Sequence, residues 1–160
     1  MRLYRRLPRL DLPNATYFVT VTTSERKRWF SRRACAELLC RLICAERGRS
    51  FLLHAFVVMP DHYHMLATLL DGHRIPSVMG RINSLSARRL NAIISRRGTV
   101  WSRRFYDHVV RNEDDFGECF SYIHDNPRAS GIVASGSEYR YSSAGYFEGG
   151  ISPWGDFDPP

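Results

Sequence analysis

The sequence predicts an α+β fold of the ferredoxin-like kind: a mainly antiparallel sheet with helices packed on one face, and one further helix added near the C-terminal end. Three observations predict it. Hydrophobic periodicity alternates along the chain in the order strand, helix, strand, strand, helix, strand, helix. Turn and cap residues fall between the periodic segments, at Gly48, Pro60-Asp61, Arg97-Gly98, Asn112 and Pro127. The 160 residues, 44% of them hydrophobic, suit one compact core and leave little room for a second.

After a basic, proline-punctuated leader from Arg2 to Pro13, residues Thr16 to Thr23 are β-branched and aromatic and read as the first strand. A charged loop from Ser24 to Arg33 follows. Ala34 to Arg47 then carries Leu38, Leu39, Leu42 and Ile43 at helical spacing and closes at Gly48. Phe51 to Met59 is a mostly apolar run that reads as a buried strand, and His62 to Leu70 alternates as its hairpin partner. Ile75 to Ser95 is a second helix, with Arg81, Arg88 and Arg89 between its apolar positions. A fourth strand is expected over Thr99 to Arg111. A third helix is expected over Glu113 to Asp125, capped by Asn112 and ended by Pro127. Residues 1–134 are expected to form the domain, and 135–160, rich in Gly, Ser, Tyr and Pro, a tail that wraps it or is partly mobile.

The charge balance is 23 basic against 16 acidic residues, a net of +7, which points to a polyanionic partner. Lys27 is the sole lysine, and arginine's planar fork suits phosphate and base contacts. No run is long and apolar enough to span a bilayer, so a cytoplasmic, nucleoid-associated protein with no membrane partner is expected. Cys35, Cys40, Cys44 and Cys119 lack the paired spacing of a zinc knuckle and read as reduced thiols.

Two short motifs hold the candidate chemistry. In Met59-Pro60-Asp61-His62-Tyr63-His64, strand parity puts His62 and His64 on one face and Tyr63 on the other, so that two imidazoles stand side by side. In Tyr122-Ile123-His124-Asp125-Asn126-Pro127, Tyr122 and Asn126 are one helical turn apart on one face. Taken singly, each motif reads equally as structure: polar-face histidines on a strand, and a packed tyrosine with an asparagine cap. Tyr106 is a competing tyrosine on a strand. His54, His73, His108 and His124 have no partner visible in sequence and default to structural roles. A groove for single strands needs cations and aromatic faces; the candidates are Arg26, Lys27, Arg28 and Trp29 in the first loop, Trp101, Arg103 and Arg104 on the fourth strand, and Arg111.

Together, Met59 to Leu66, then Val100-Trp101-Ser102-Arg103-Arg104-Phe105-Tyr106-Asp107, then Tyr122 to Ala129 closely resemble the single-tyrosine HUH transposases. Among these the chain is most similar to the REP-associated tyrosine transposases related to the IS200/IS605 group. The resemblance runs from about Thr16 to about Val133, and Tyr139 to Ser143 resembles the family's usual ending. It implies that the added helix is catalytic, with Tyr122 as nucleophile, His62 and His64 as catalytic metal ligands and Asn126 as the third ligand. The implied metal is Mg²⁺ or Mn²⁺, of which two imidazoles suit Mn²⁺ better; no small-molecule cofactor is implied. The implied reaction is nicking and joining of single-stranded, hairpin-forming REP-like or transposon-end DNA through a 5′-phosphotyrosine, by a monomer or homodimer. Two other readings use the same residues: a DNA-binding protein that no longer catalyses, and a metal nuclease that employs water. The chain departs from the family pattern at Asp61, where asparagine is common, and at Arg128, where valine often follows the proline.

Overall fold

The computed structural model describes residues 12–159, so most of the basic leader lies outside the described residues. Four strands, β1 (Thr16–Thr22), β2 (Phe51–Met59), β3 (His62–Leu69) and β4 (Tyr106–Val109), form one antiparallel sheet in the order β2-β3-β1-β4. Helices α1 (Arg33–Ala45) and α2 (Ile75–Ile93) pack against each other and one sheet face; α3 (Glu113–Ala129) covers the other. A short α4 (Ala144–Gly149) follows. This is the ferredoxin-like arrangement with its added helix on the opposite side of the sheet.

Side-chain parity divides the two faces. Tyr17, Val19 and Val21 of β1 and Tyr63, Met65 and Ala67 of β3 join Leu39, Ile43, Val78 and Leu90 in the larger core. Phe18 and Leu66 face the other way, toward Cys119 and Ile123 of α3. On β2 the register shifts between Leu53 and Ala55, so that Leu53 and Phe56 both serve the larger core while Ala55, Val57 and Met59 serve the smaller one. Burial on both faces is why β2 is apolar almost throughout.

Two expectations need correcting. The fourth strand does not extend over Thr99 to Arg111; β4 begins only at Tyr106. Val100 and Trp101 are buried, and the Trp101 indole stacks on Phe30 with ring centroids 5.3 Å apart and donates to Asn83 O (3.1 Å) and Ser86 Oγ (3.0 Å). Core packing of that side chain takes the chain across the end of β1, where it makes a single bridge to Thr23, and away from a continuous ladder. Nor does Pro127 end α3. The helix runs through it to Ala129, with Pro127 buried and the following turn closed by Ser130 N–H donating to Asn126 O and Ile132 N–H to Pro127 O, both 3.0 Å. Backbone from Gly136 is laid so closely on the His124 carbonyl that a Cβ there would collide with it. At the other end Asn112 caps α3 as expected, accepting from Asp115 N–H at 2.9 Å.

The residues after 135 cover the open edge of β2. Val58 N–H donates to Tyr141 O at 2.8 Å, Ser142 bridges Val57, and Phe157 is buried in the larger core. Arg47 binds Asp158 through two nitrogens, at 2.9 and 2.8 Å. No helix among the described residues is long and apolar enough to cross a membrane.

Candidate active site

The antiparallel register pairs Thr20 with His64 and Thr22 with His62, so the two histidines emerge beside β1 on the α3 face. Their rings stand 4.8 Å apart, edge to face. His64 is buried; its Nδ1 lies 2.8 Å from Thr20 Oγ1 and its Nε2 lies 3.4 Å from Asn126 Nδ2. Burial, reinforced by the neighbouring His62 and Arg26, holds its pKa down at about 3. The ring is therefore neutral at pH 7, with a lone pair to offer. His62 Nδ1 lies 2.6 Å from Asp61 Oδ1.

From the opposite side α3 brings Tyr122 and Asn126 to the same place. The Tyr122 ring meets His64 edge-on at 5.3 Å and Phe18 at 5.9 Å, and stays open to solvent at 37% exposure. Phe18 forms the floor, stacked on His64 at 5.4 Å. Because α3 stays helical through Pro127, Asn126 sits on a regular turn and its side chain is buried against His64. Its Oδ1 has no hydrogen-bond partner. A buried acceptor left without a donor costs ~1–3 kcal/mol, and amide oxygen and nitrogen can be exchanged by a half-turn. With Oδ1 turned to His64 Nε2, two lone pairs converge, an arrangement that a divalent cation satisfies.

Tyr63, between the two histidines in sequence, faces the other core and is fully buried, its hydroxyl donating to Asn83 Oδ1 at 2.8 Å. Tyr106 lies on the Tyr122 side, edge-on to Phe18 at 6.4 Å.

A family model described as "Transposase IS200 like" matches residues 12–126. The chain belongs to the IS200-like transposase family. It is 27% identical over 135 residues to a REP-associated tyrosine transposase of Escherichia coli K12, spanning 84% of this chain and 79% of that protein. Among solved structures it is similar to a REP-associated tyrosine transposase bound to a REP hairpin, with a TM-score of 0.72 and 26% identity over 100% of this chain and 95% of that one. The relatives are named as transposases, which places the chain in a family of DNA-processing enzymes.

The expected DNA-contacting residues of this transposase-family chain divide. Arg26, Lys27, Arg28, Arg103, Arg104 and Arg111 are exposed. Arg26 approaches the site, with Nη1 3.7 Å from Asp61 Oδ2; Lys27 pairs with Glu25 at 3.3 Å and Arg111 with Asp115 at 3.3 Å. Trp29 packs half-buried on the core under the Arg96 guanidinium, 4.7 Å from its ring. Trp101 is 7% exposed and is a core residue, not a stacking face for bases.

Sequence reasoning missed Phe18, Thr20 and the Arg26–Asp61 contact. The signal for Thr20 lay in the alternation of β1, but using it requires the β1–β3 register. Of the histidines set aside, His54 reaches Thr68 Oγ1 at 2.7 Å and His124 reaches Ser143 Oγ at 2.7 Å. His108, Asp115 and Cys119 gather ligand-type atoms within 4.8 Å of one another. There the carboxylate already takes His108 Nε2 on both oxygens at 2.9 Å and Arg111 N–H at 3.0 Å, while burial pushes the Cys119 thiol up to about 12. This group clamps β4 to the start of α3.

Proposed function

We propose that the protein is a metal-dependent, single-strand DNA nicking and joining enzyme of transposase type that works through Tyr122 on hairpin-forming DNA. The observation that carries the reading is that the neutral, buried His64 meets the His62 ring at 4.8 Å, the Tyr122 ring at 5.3 Å and the amide of Asn126, whose Oδ1 is buried with no partner. His62, His64 and Asn126 would hold the metal, Mg²⁺ or Mn²⁺. When bound, that cation polarises the scissile phosphate and gathers its oxygens.

The chain's own residues do the rest. Tyr122, exposed and braced against Phe18 and His64, attacks phosphorus in line through its phenolic oxygen. The phenol proton passes to solvent, the bond to the 3′ oxygen breaks, and that oxygen takes up a proton. The product is a 5′-phosphotyrosine on Tyr122 and a free 3′-hydroxyl. A second 3′-hydroxyl reverses the attack and joins strands, because the phosphotyrosine keeps the energy of the broken bond. Arg26, beside the site, and the exposed Arg28, Arg103, Arg104 and Arg111 would hold phosphates. The solved relative bound to a REP hairpin supports hairpin DNA as the substrate class, and action on cellular DNA fits a cytoplasmic, nucleoid-associated protein.

The test is incubation with end-labelled single-stranded hairpin DNA and Mn²⁺, followed by denaturing electrophoresis. A protein–DNA adduct that survives denaturation is expected from wild type and none from Tyr122→Phe. Cleavage without adduct would make the protein a water-using nuclease, and binding without cleavage an inactive DNA-binding module.

A further inference from the structure

We propose that Asp61 is a positioning residue of the metal site, fixing His62 in the tautomer that presents Nε2 to the cation. The inference deepens the reading of the site given above and rests on it.

An ionised carboxylate can only accept, so the 2.6 Å contact between Asp61 Oδ1 and His62 Nδ1 puts the proton on Nδ1 and leaves Nε2 with its lone pair. Free imidazole has no such obligation. Asp61 is in turn held from two directions. Its backbone oxygen accepts Thr23 N–H at 2.9 Å and Thr23 Oγ1–H at 3.0 Å, Thr23 being fully buried, and Pro60 O beside it accepts Phe30 N–H at 3.0 Å. The second carboxylate oxygen faces Arg26 Nη1 at 3.7 Å. Arg26 and its neighbour Glu25 adopt left-handed backbone, φ +54° and +56°, a conformation costing a non-glycine residue ~1–3 kcal/mol. The turn thus joins a cation of the basic loop to a histidine of the site through one side chain. His64 differs: its Nδ1 lies 2.8 Å from Thr20 Oγ1, a hydroxyl that can donate or accept and so sets no tautomer by itself, while its Nε2 faces the Asn126 amide.

Two readouts test this. Long-range proton–nitrogen NMR of the metal-free protein reports the His62 tautomer directly, and loss of the free Mn²⁺ EPR signal on titration reports metal affinity. Wild type is expected to show His62 protonated at Nδ1. Asp61→Ala is expected to show a mixture of tautomers and Mn²⁺ affinity lower by ~10–100-fold, the usual effect of losing a group behind a metal ligand. Asp61→Asn, whose amide oxygen can still accept from Nδ1, is expected to keep the tautomer and recover most of the affinity; it also guards against misfolding of the alanine variant. If wild type binds Mn²⁺ and Asp61→Ala binds it equally with His62 still protonated at Nδ1, the role of Asp61 is overturned while the metal reading stands. If wild type binds no Mn²⁺, the metal reading itself falls and takes this role with it.

Discussion

On β3, Tyr63 and Met65 face the wedge filled by α1 and α2, whereas His62 and His64 face α3, and the two sides of one strand obey different rules. Toward α1 and α2 the contacts are apolar and most of the few polar atoms are matched: the Tyr63 hydroxyl has Asn83, and the Trp101 indole has Asn83 O and Ser86 Oγ, while Nε1 of Trp29, half-buried against this core, is the exception. Toward α3 the packing is thinner, and Asn126 Oδ1 is buried with no partner. A fold optimised for stability alone pairs its buried polar atoms, so an unpaired one beside two imidazoles marks the face that folding leaves to function.

Exchanging adjacent residues should break this contrast most sharply. His64→Ala should reduce cleavage of hairpin DNA to background while leaving DNA affinity within a few-fold of wild type; equal loss of both would mean that His64 organises the fold. Met65→Ala, one residue further along, should cost ~2–5 kcal/mol in a urea melt, because it opens a cavity in the larger core. The protein that remains folded should cleave normally.

The two tyrosines sharpen the same comparison at smaller scale. Tyr63→Phe leaves Asn83 Oδ1 without its donor and should lower stability by ~1–3 kcal/mol with no change in adduct formation. Tyr122→Phe should do the reverse. Trp101→Phe belongs with Tyr63: by removing an indole N–H from two acceptors it should lower the melting temperature and leave DNA affinity unchanged. Loss of DNA affinity comparable to that of Arg103→Ala would restore Trp101 to the DNA surface.

The opposition of the faces was legible at β3 because strand parity is local: residues two apart share a side whatever the rest of the chain does. The element order followed equally from periodicity, and the bounds of β2 from its apolar run between turn signals. What could not be read depends on partners distant in sequence. Thr20 meets His64 only through the β1–β3 register, and Phe18 becomes the floor of the site for the same reason. Trp101 looked like a surface aromatic because arginines follow it, yet Phe30, Asn83 and Ser86 converge on it from elsewhere in the chain. Pro127 misled in the opposite sense. The local bias of the residue before proline was outweighed by the buried packing of Asn126 and Pro127, and that outcome is what aims Asn126 at His64.

His124 offers the mildest test, since it lies on α3 between Tyr122 and Asn126 yet belongs to the structural side. Its ring is edge-on to Phe120 at 4.3 Å, and Nε2 meets Ser143 Oγ in the segment that covers β2. Burial lowers its pKa to about 4, with Glu148 opposing weakly. The folded protein therefore keeps His124 neutral where the unfolded chain, titrating near ~6.5, has begun to bind a proton. Stability from this group is complete above ~6.5, is lost as pH falls toward about 4, and changes no further below that. Between pH 7.5 and 5.5 the loss should be about 1 kcal/mol. Other groups titrate in the same range, so the quantity to measure is the difference in urea midpoint between wild type and His124→Gln, in chelator, at both pH values. The glutamine keeps a polar atom near Ser143 but binds no proton, so its disadvantage should shrink as the pH falls. A difference that stays constant with pH would mean that His124 is protonated equally in the folded and unfolded chains.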